Sequence, residues 1–151
     1  MRIAGLRSWQ SYEERFNFGS KDYSYAASLK VANWLRENAH PEDRLVVWGS
    51  EPIVNYLSGM RSISRFGFNQ PLTSAPPAVQ DRYRDEFITS LRPTPPAFFL
   101  VVDRDRNNLR ARTSKEFLEE WPVLTRWLAE DYRLVHTIED FQIYGRRAIE
   151  D

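Results

Sequence analysis

Apolar residues along the chain follow two alternating rhythms. Ala27, Val31, Trp34 and Leu35 recur at i, i+4, i+7 and i+8, the buried stripe of a helix. Asp22 or Ser24 stands where a cap would start it, and Pro41 marks its end. The rhythm then changes to the unbroken run Arg44-Leu45-Val46-Val47-Trp48-Gly49, which predicts a buried, parallel strand. Ser50 and Pro52 open a short second helix, a missing N–H being harmless in the first turn, and Gly59 closes it. Ser62 to Phe66 reads as a second strand, and 67–77 as a loop rich in Pro, Ser and Asn.

Val79, Tyr83, Phe87 and Leu91 repeat every four residues and predict a third helix that stops before Pro93. Ala97 to Val102 is the most apolar strand of the chain. After a charged loop, Asp103 to Ser114, Phe117 and Leu118 mark a short helix, and Trp121-Pro122 opens another with Leu124, Trp127 and Leu128 on one face. Tyr132 to Ile138 and Phe141 to Arg147, joined by Glu139-Asp140, predict an antiparallel hairpin. This alternation predicts an α/β fold. Its expected form is a mainly parallel sheet with helices on both faces, Rossmann-like or flavodoxin-like, with the C-terminal hairpin as antiparallel edge. Residues 23–151 form a single domain on this reading, and 1–22 an irregular lead-in.

Length and composition narrow the picture. The 151 residues suit one domain, and aromatics at 14% give a large apolar payload. The formal net charge is +0, so no global field draws in nucleic acid. With no cysteine, disulfides, thiolate metal sites and cysteine nucleophiles are excluded. No run approaches the ~18 apolar residues of a membrane span, and Met1 to Trp9 lacks the apolar core of a signal peptide, so the chain as given reads as soluble. Of 21 basic residues only Lys21, Lys30 and Lys115 are lysine. The arginine bias reflects either genome composition or recognition of phosphate and carboxylate groups, which the guanidinium fork binds well.

Three places offer chemistry. Trp48-Gly49-Ser50-Glu51-Pro52 ends the first strand, where ligands of open α/β sheets bind. A single glycine and the negative Glu51 argue against phosphate there, and the plain alternative is an ordinary strand-to-helix turn. Arg61 and Arg65 flank the predicted second strand, with Tyr56 before and Asn69 beyond. Together with Trp48 and Glu51 they outline a possible groove: an aromatic face for a sugar ring, a carboxylate for hydroxyls, two arginines for an anion. The alternative puts Trp48 in the core and pairs Glu51 with an arginine. Asp103-Arg104-Asp105 resembles a metal-holding Asp-x-Asp pair, but Arg104, Arg106, Arg110 and Arg112 around it suit a solvated charged loop instead. His40 and His136 have no second ligand at metal spacing and read as structural. No metal or cofactor is expected.

The stretch Val31 to Gly49 carries Leu35-Arg36-Glu37, then Pro41, an acid, Asp43-Arg44, then Val46-Val47-Trp48-Gly49. It resembles the segment that follows the last membrane helix in bacterial glycosyltransferases of the dolichyl-phosphate-mannose protein mannosyltransferase type. The resemblance continues through Glu51-Pro52, Tyr56 to Gly59 and Ser64 to Phe66, and again from Leu128 to Val135 and Ile143 to Arg147. It implies the extracytoplasmic C-terminal domain of an enzyme that transfers a sugar from a polyprenyl-phosphate donor. The family's catalytic acid lies between early membrane helices, so no catalytic residue carries over. The lead-in 1–22 would then come from a membrane region. The implied partners are the membrane portion of the same full-length chain and a glycan or lipid-linked sugar acceptor. Two other classes remain open from the residues alone: a free-standing Rossmann-like small-ligand module, and a metal-dependent enzyme using Asp103 and Asp105.

Overall fold

A computed structural model of the chain describes residues 25–105 and 112–147. Its order is α1 (Tyr25–Asn38), β1 (Leu45–Trp48), α2 (Ile53–Ser58), α3 (Gln70–Ser74), α4 (Pro77–Leu91), β2 (Phe98–Val102), α5 (Ser114–Glu119), α6 (Pro122–Asp131), β3 (Tyr132–Ile138) and β4 (Phe141–Arg146). The strands form one sheet in the order β1-β2-β4-β3.

The pleat of the sheet sorts its side chains into two cores. Val46, Trp48, Phe99 and Val101 point to one face, where Phe87 and Leu91 of α4, Leu72 of α3, Leu118 of α5 and Leu124 and Leu128 of α6 cover them. Leu45, Val47, Leu100, Val102, Phe141 and Ile143 point to the other, under Ala27, Val31 and Leu35 of α1 and Val54 of α2. Because β1 and β2 are covered on both faces, they read as unbroken apolar runs rather than alternating ones.

Only β1 and β2 pair in parallel; β2 with β4 and β3 with β4 are antiparallel. The expectation of a mainly parallel sheet is therefore corrected to a mixed one, and the missing member is Ser62 to Phe66. Arg61 does bridge Arg44 in parallel, and the Leu45 N–H donates to the Arg61 carbonyl at 3.1 Å. The ladder then stops. The Ser62 hydroxyl donates to the Ser64 carbonyl (2.9 Å) and accepts from the Ser64 N–H, and the Phe66 N–H donates to the Ser64 hydroxyl (3.1 Å). Serine side chains thus occupy backbone groups that a strand would have offered to β1.

Smaller differences have local causes. The Ser50 side chain does not cap α2; Pro52 stands at that position without a side-chain cap bond, and Gly59 ends the helix as expected, at φ 74°. The expected loop 67–77 contains α3. Asp22 and Ser24, proposed as caps of α1, lie outside the described residues, as do Arg106 and Arg110. The hairpin forms as predicted, its turn closed by Glu139 at φ 52°. A bulge between Leu134 and His136 interrupts β3, a common device for blunting a sheet edge.

Gly49 marks the tightest approach. A Cβ there would lie 2.3 Å from Val102 Cγ2 and 2.5 Å from Glu51 Oε2. Val102 is fully buried and cannot retreat without moving β2. Gly49→Ala should therefore destabilise the domain by about 1–3 kcal/mol, the usual cost of overpacking. Urea unfolding measures this; an unchanged midpoint would show that β1 and β2 can separate at no cost.

Candidate functional site

The carboxyl edge of β1 and β2 is closed by buried polar groups. At Thr113 the chain enters α5 through a capping box: the Glu116 N–H donates to the Thr113 hydroxyl (3.2 Å), and the Thr113 N–H donates to the Glu116 carboxylate (2.6 Å). This fixes Ser114, wholly buried, against three other segments. Its carbonyl accepts from the Trp48 indole N–H at 2.7 Å. Its hydroxyl accepts from the Asn69 amide at 2.7 Å and donates to the Asp105 carboxylate. Its N–H donates to the same carboxylate at 2.6 Å. Asn69 reaches back to β1, its N–H donating to the Gly49 carbonyl at 3.1 Å. Glu51, 2% exposed, accepts from the Ser50 N–H at 2.7 Å.

The proposed groove residues separate accordingly. Trp48, Glu51 and Asn69 gather at this edge but are buried, with Trp48 only 1% exposed. The Trp48 ring lies 6.0 Å from Phe87 and 5.8 Å from Trp121, inside the core. Tyr56 is 85% exposed on the outside of α2, and Arg61 is an exposed residue on the flank of β1. Arg65 turns outward: its guanidinium sits 4.4 Å from the Phe66 ring centre and pairs through two nitrogens with Glu86, which holds the Glu86 carboxyl below its ordinary range. The six residues therefore do not line one groove. The aromatic surface expected for a sugar ring is core, as the alternative reading had it.

Asp103 and Asp105 also diverge. Asp103 faces Lys115 at 3.4 Å, while Asp105, 0% exposed, is turned into the Ser114 bonds. An Asp-x-Asp metal pair needs both carboxylates on one ion; here each has its own protein partner. Among the described residues no group of three or more His, Asp or Glu is arranged to hold a metal. Of the two histidines, His136 stacks on Trp34 at 5.3 Å and 18°, and the His40 N–H donates to Asp43 in the turn before β1.

An open groove of about 470 Å³ lies elsewhere, on the face of the hairpin beyond α5 and α6. Tyr144 and Gln142 form its floor and Leu134 its rim, with Lys115 and Glu119 on the α5 wall and Thr125 on the α6 wall. Burial raises the Tyr144 phenol above its ordinary range, which keeps it protonated, and it donates to Gln142 Oε1 at 3.2 Å. Leu134 is 52% exposed at the rim. The groove thus offers an aromatic surface flanked by the cations Lys115, Arg133 and Arg147, a carboxylate and an amide. Sequence reasoning missed it because it spans β4 and α5, far apart in the chain. The Thr113-x-x-Glu116 cap that orients α5 was legible and points to one wall. Comparison with protein-family models, with curated proteins and with solved structures yields no match.

Two outcomes follow from this geometry. Ser114→Ala removes the hydroxyl between Asn69 and Asp105 and should cost about 1–3 kcal/mol, the penalty of stranding buried polar groups. A loss below ~0.5 kcal/mol in chemical denaturation would mean that the edge does not depend on Ser114. The second concerns Asp140, whose carbonyl accepts from the Asp103 N–H at 2.9 Å. Burial raises its carboxyl pKa above the ordinary 3.8, with Glu139 and Asp105 adding to the shift and Arg104 opposing it. A folded pKa above the unfolded one favours folding below about pH 3.8, and that contribution is lost as pH rises through the folded value. Asp140→Asn should therefore be more stable than the parent at pH 7, with the difference fading on acidification below the ordinary value. A constant difference from pH 3 to 8 would exclude this origin.

Proposed function

We propose that the chain is the extracytoplasmic C-terminal domain of a membrane glycosyltransferase that uses a polyprenyl-phosphate sugar, and that it serves acceptor binding rather than bond making. The observation that carries this reading is the resemblance of Val31 to Gly49 to that family's post-membrane segment. The fold uses this segment as one piece: the buried stripe of α1, the turn, and β1 beneath it. The later stretches of the resemblance, Leu128 to Val135 and Ile143 to Arg147, form the end of α6 and the hairpin that floors the open groove. No described helix is long and apolar enough to cross a membrane, which suits a domain whose anchor is the remainder of a longer chain.

The acceptor would lie on Tyr144, a phenol ring that stacks on a sugar face, with Gln142, Glu119 and Lys115 bonding its hydroxyls. The polyprenyl-phosphate donor and the catalytic acid belong to the membrane portion of the same chain, its principal partner. A second reading, a free-standing ligand module of Rossmann-like shape, is favoured by the parallel β1–β2 pair with helices on both faces. Against it, the carboxyl edge where such a module binds is filled by Asn69, Ser114 and Asp105.

Reading the gene upstream of the Met1 codon tests the assignment: several apolar spans of about 20 residues in frame support it, and a stop codon there sinks it. In the full-length enzyme, Glu119→Ala and Gln142→Ala should each lower acceptor kcat/KM about tenfold or more, the effect of losing one good hydrogen bond. The melting temperature of the 151-residue chain should stay unchanged in Glu119→Ala, whose side chain is exposed, and fall only slightly in Gln142→Ala, which leaves the part-buried Tyr144 hydroxyl to water; that chain alone should transfer no sugar. Unaltered transfer by both variants would remove the groove from acceptor binding.

A further inference from the structure

A second groove, of about 520 Å³, opens at the opposite, amino edge of the sheet. It lies between the turn that follows α1, the entry to β2 and the open end of the hairpin, and Arg44, Arg133 and Arg146 all line it. Several arginines elsewhere are engaged: Arg36 on the Leu57 carbonyl, Arg65 on Glu86, Arg84 on the Leu72 carbonyl, Arg112 on Glu120, Arg147 on the Tyr132 and Ala129 carbonyls. Among the described residues the three groove arginines have no such partner: no carboxylate pairs with them and their guanidinium groups donate no hydrogen bond.

The backbone keeps this groove open. Arg133 stands across from Gly145, so it has no cross-strand side chain to lean on. A Cβ on Gly145 would lie 3.0 Å from Val135 Cγ1, so the glycine also leaves room for the bulged residue. Of the nearby acids, Asp43 is committed to the His40 N–H at 2.8 Å, which leaves Glu42 as the free carboxylate of the lining. Phe98 and Pro95 supply an apolar wall.

We infer that this amino-edge groove binds a phosphate monoester on a hydroxylated body, a sugar phosphate in chemical class. Three arginines line this one groove, and long guanidinium side chains entering from both faces of the sheet end suit a dianion with three acceptor oxygens better than a carboxylate with two. Glu42 is placed to accept hydroxyls, and the Phe98–Pro95 wall suits a ring. The volume is in the range of small-molecule sites. Arg133 borders both grooves, whereas Arg44, Arg146, Glu42 and Phe98 line the amino-edge groove alone, so the inference does not depend on the proposed transferase role.

Calorimetric titration of the 151-residue chain with glucose 6-phosphate, with glucose, and with vesicles containing phosphatidate tests it. Saturable binding of glucose 6-phosphate but not glucose, weakened about tenfold or more by Arg133→Gln and by Arg146→Gln, supports a soluble ligand. Arg126→Gln, which removes an exposed arginine of α6 outside the groove, should leave it unchanged. Binding to the vesicles alone, with the same dependence on Arg133 and Arg146, supports a lipid-borne monoester. Absence of saturable binding in both arms below about 10 mM, or equal weakening by Arg126→Gln, overturns the site. Thermal melts of each variant identify any loss that comes from unfolding.

Discussion

The described structure depends on satisfying buried polar groups at the carboxyl edge of its sheet. Strands β1 and β2 carry apolar residues on both faces, so whatever follows them is drawn into the interior with its backbone groups. An unpaired amide or carboxylate there costs about 1–3 kcal/mol, more if charged. Ser114 meets that demand for several segments at once: the indole at the end of β1, Asn69 before α3, and Asp105 after β2. The same contacts set where α5 starts, and α5 with α6 then covers Val46, Phe99 and Val101. Packing of the core beneath α5 and α6 is thus tied to one serine, whose position is set by the Thr113 capping box.

Aromatic packing builds outward from that edge. Trp48, Phe87 and Trp121 form a triangle with ring centres 5.8–6.0 Å apart, joining β1 to α4 and to the entry of α6. Each such pair adds about 0.5–1.5 kcal/mol beyond its buried area. Arg84 closes the outer side, its guanidinium 4.9 Å from the Trp121 ring centre and its Nε–H donating to the Leu72 carbonyl. Trp48 serves this core through its ring and the polar edge through its nitrogen. That double use explains why a tryptophan at a strand end, which suggests a binding surface, is here inaccessible.

Periodicity made most of the frame legible. The stripe of α1, the runs of β1 and β2, the four-residue repeat of α4 and the hairpin all follow from local pattern, because burial imposes those periods directly. Ser62 to Phe66 failed because a short apolar-polar alternation carries the same signal whether its backbone bonds to a neighbour strand or to its own serines. The site was harder to read for a different reason. Glu51 and Asn69 were singled out for exposed chemistry, yet their polarity answers a need inside the fold, and a sequence does not separate those two uses. Asp105 was considered as a metal ligand, and it is a hydrogen-bond acceptor for Ser114. Arg44, Arg133 and Arg146 are scattered in sequence and meet only when the hairpin returns beside β2.

Open α/β sheets bind ligands at the carboxyl ends of parallel strands because adjacent connections there diverge and leave a crevice. That rule needs neighbouring parallel strands on both sides of the crevice. Here β2 has a parallel neighbour on one side only, and on the other the turn of the hairpin packs against it, the Asp103 N–H bonding the Asp140 carbonyl. The crevice is filled from one side by Asn69 and Ser114 and bounded on the other by that turn. Among the described residues, open space lies in two places that a mixed sheet creates and a parallel one does not. One is the hairpin face that α5 and α6 leave uncovered; the other is the amino edge, where the last residues of β4 return beside the start of β2. The antiparallel addition therefore relocates the open grooves of this domain, and the hairpin itself contributes part of the lining of both.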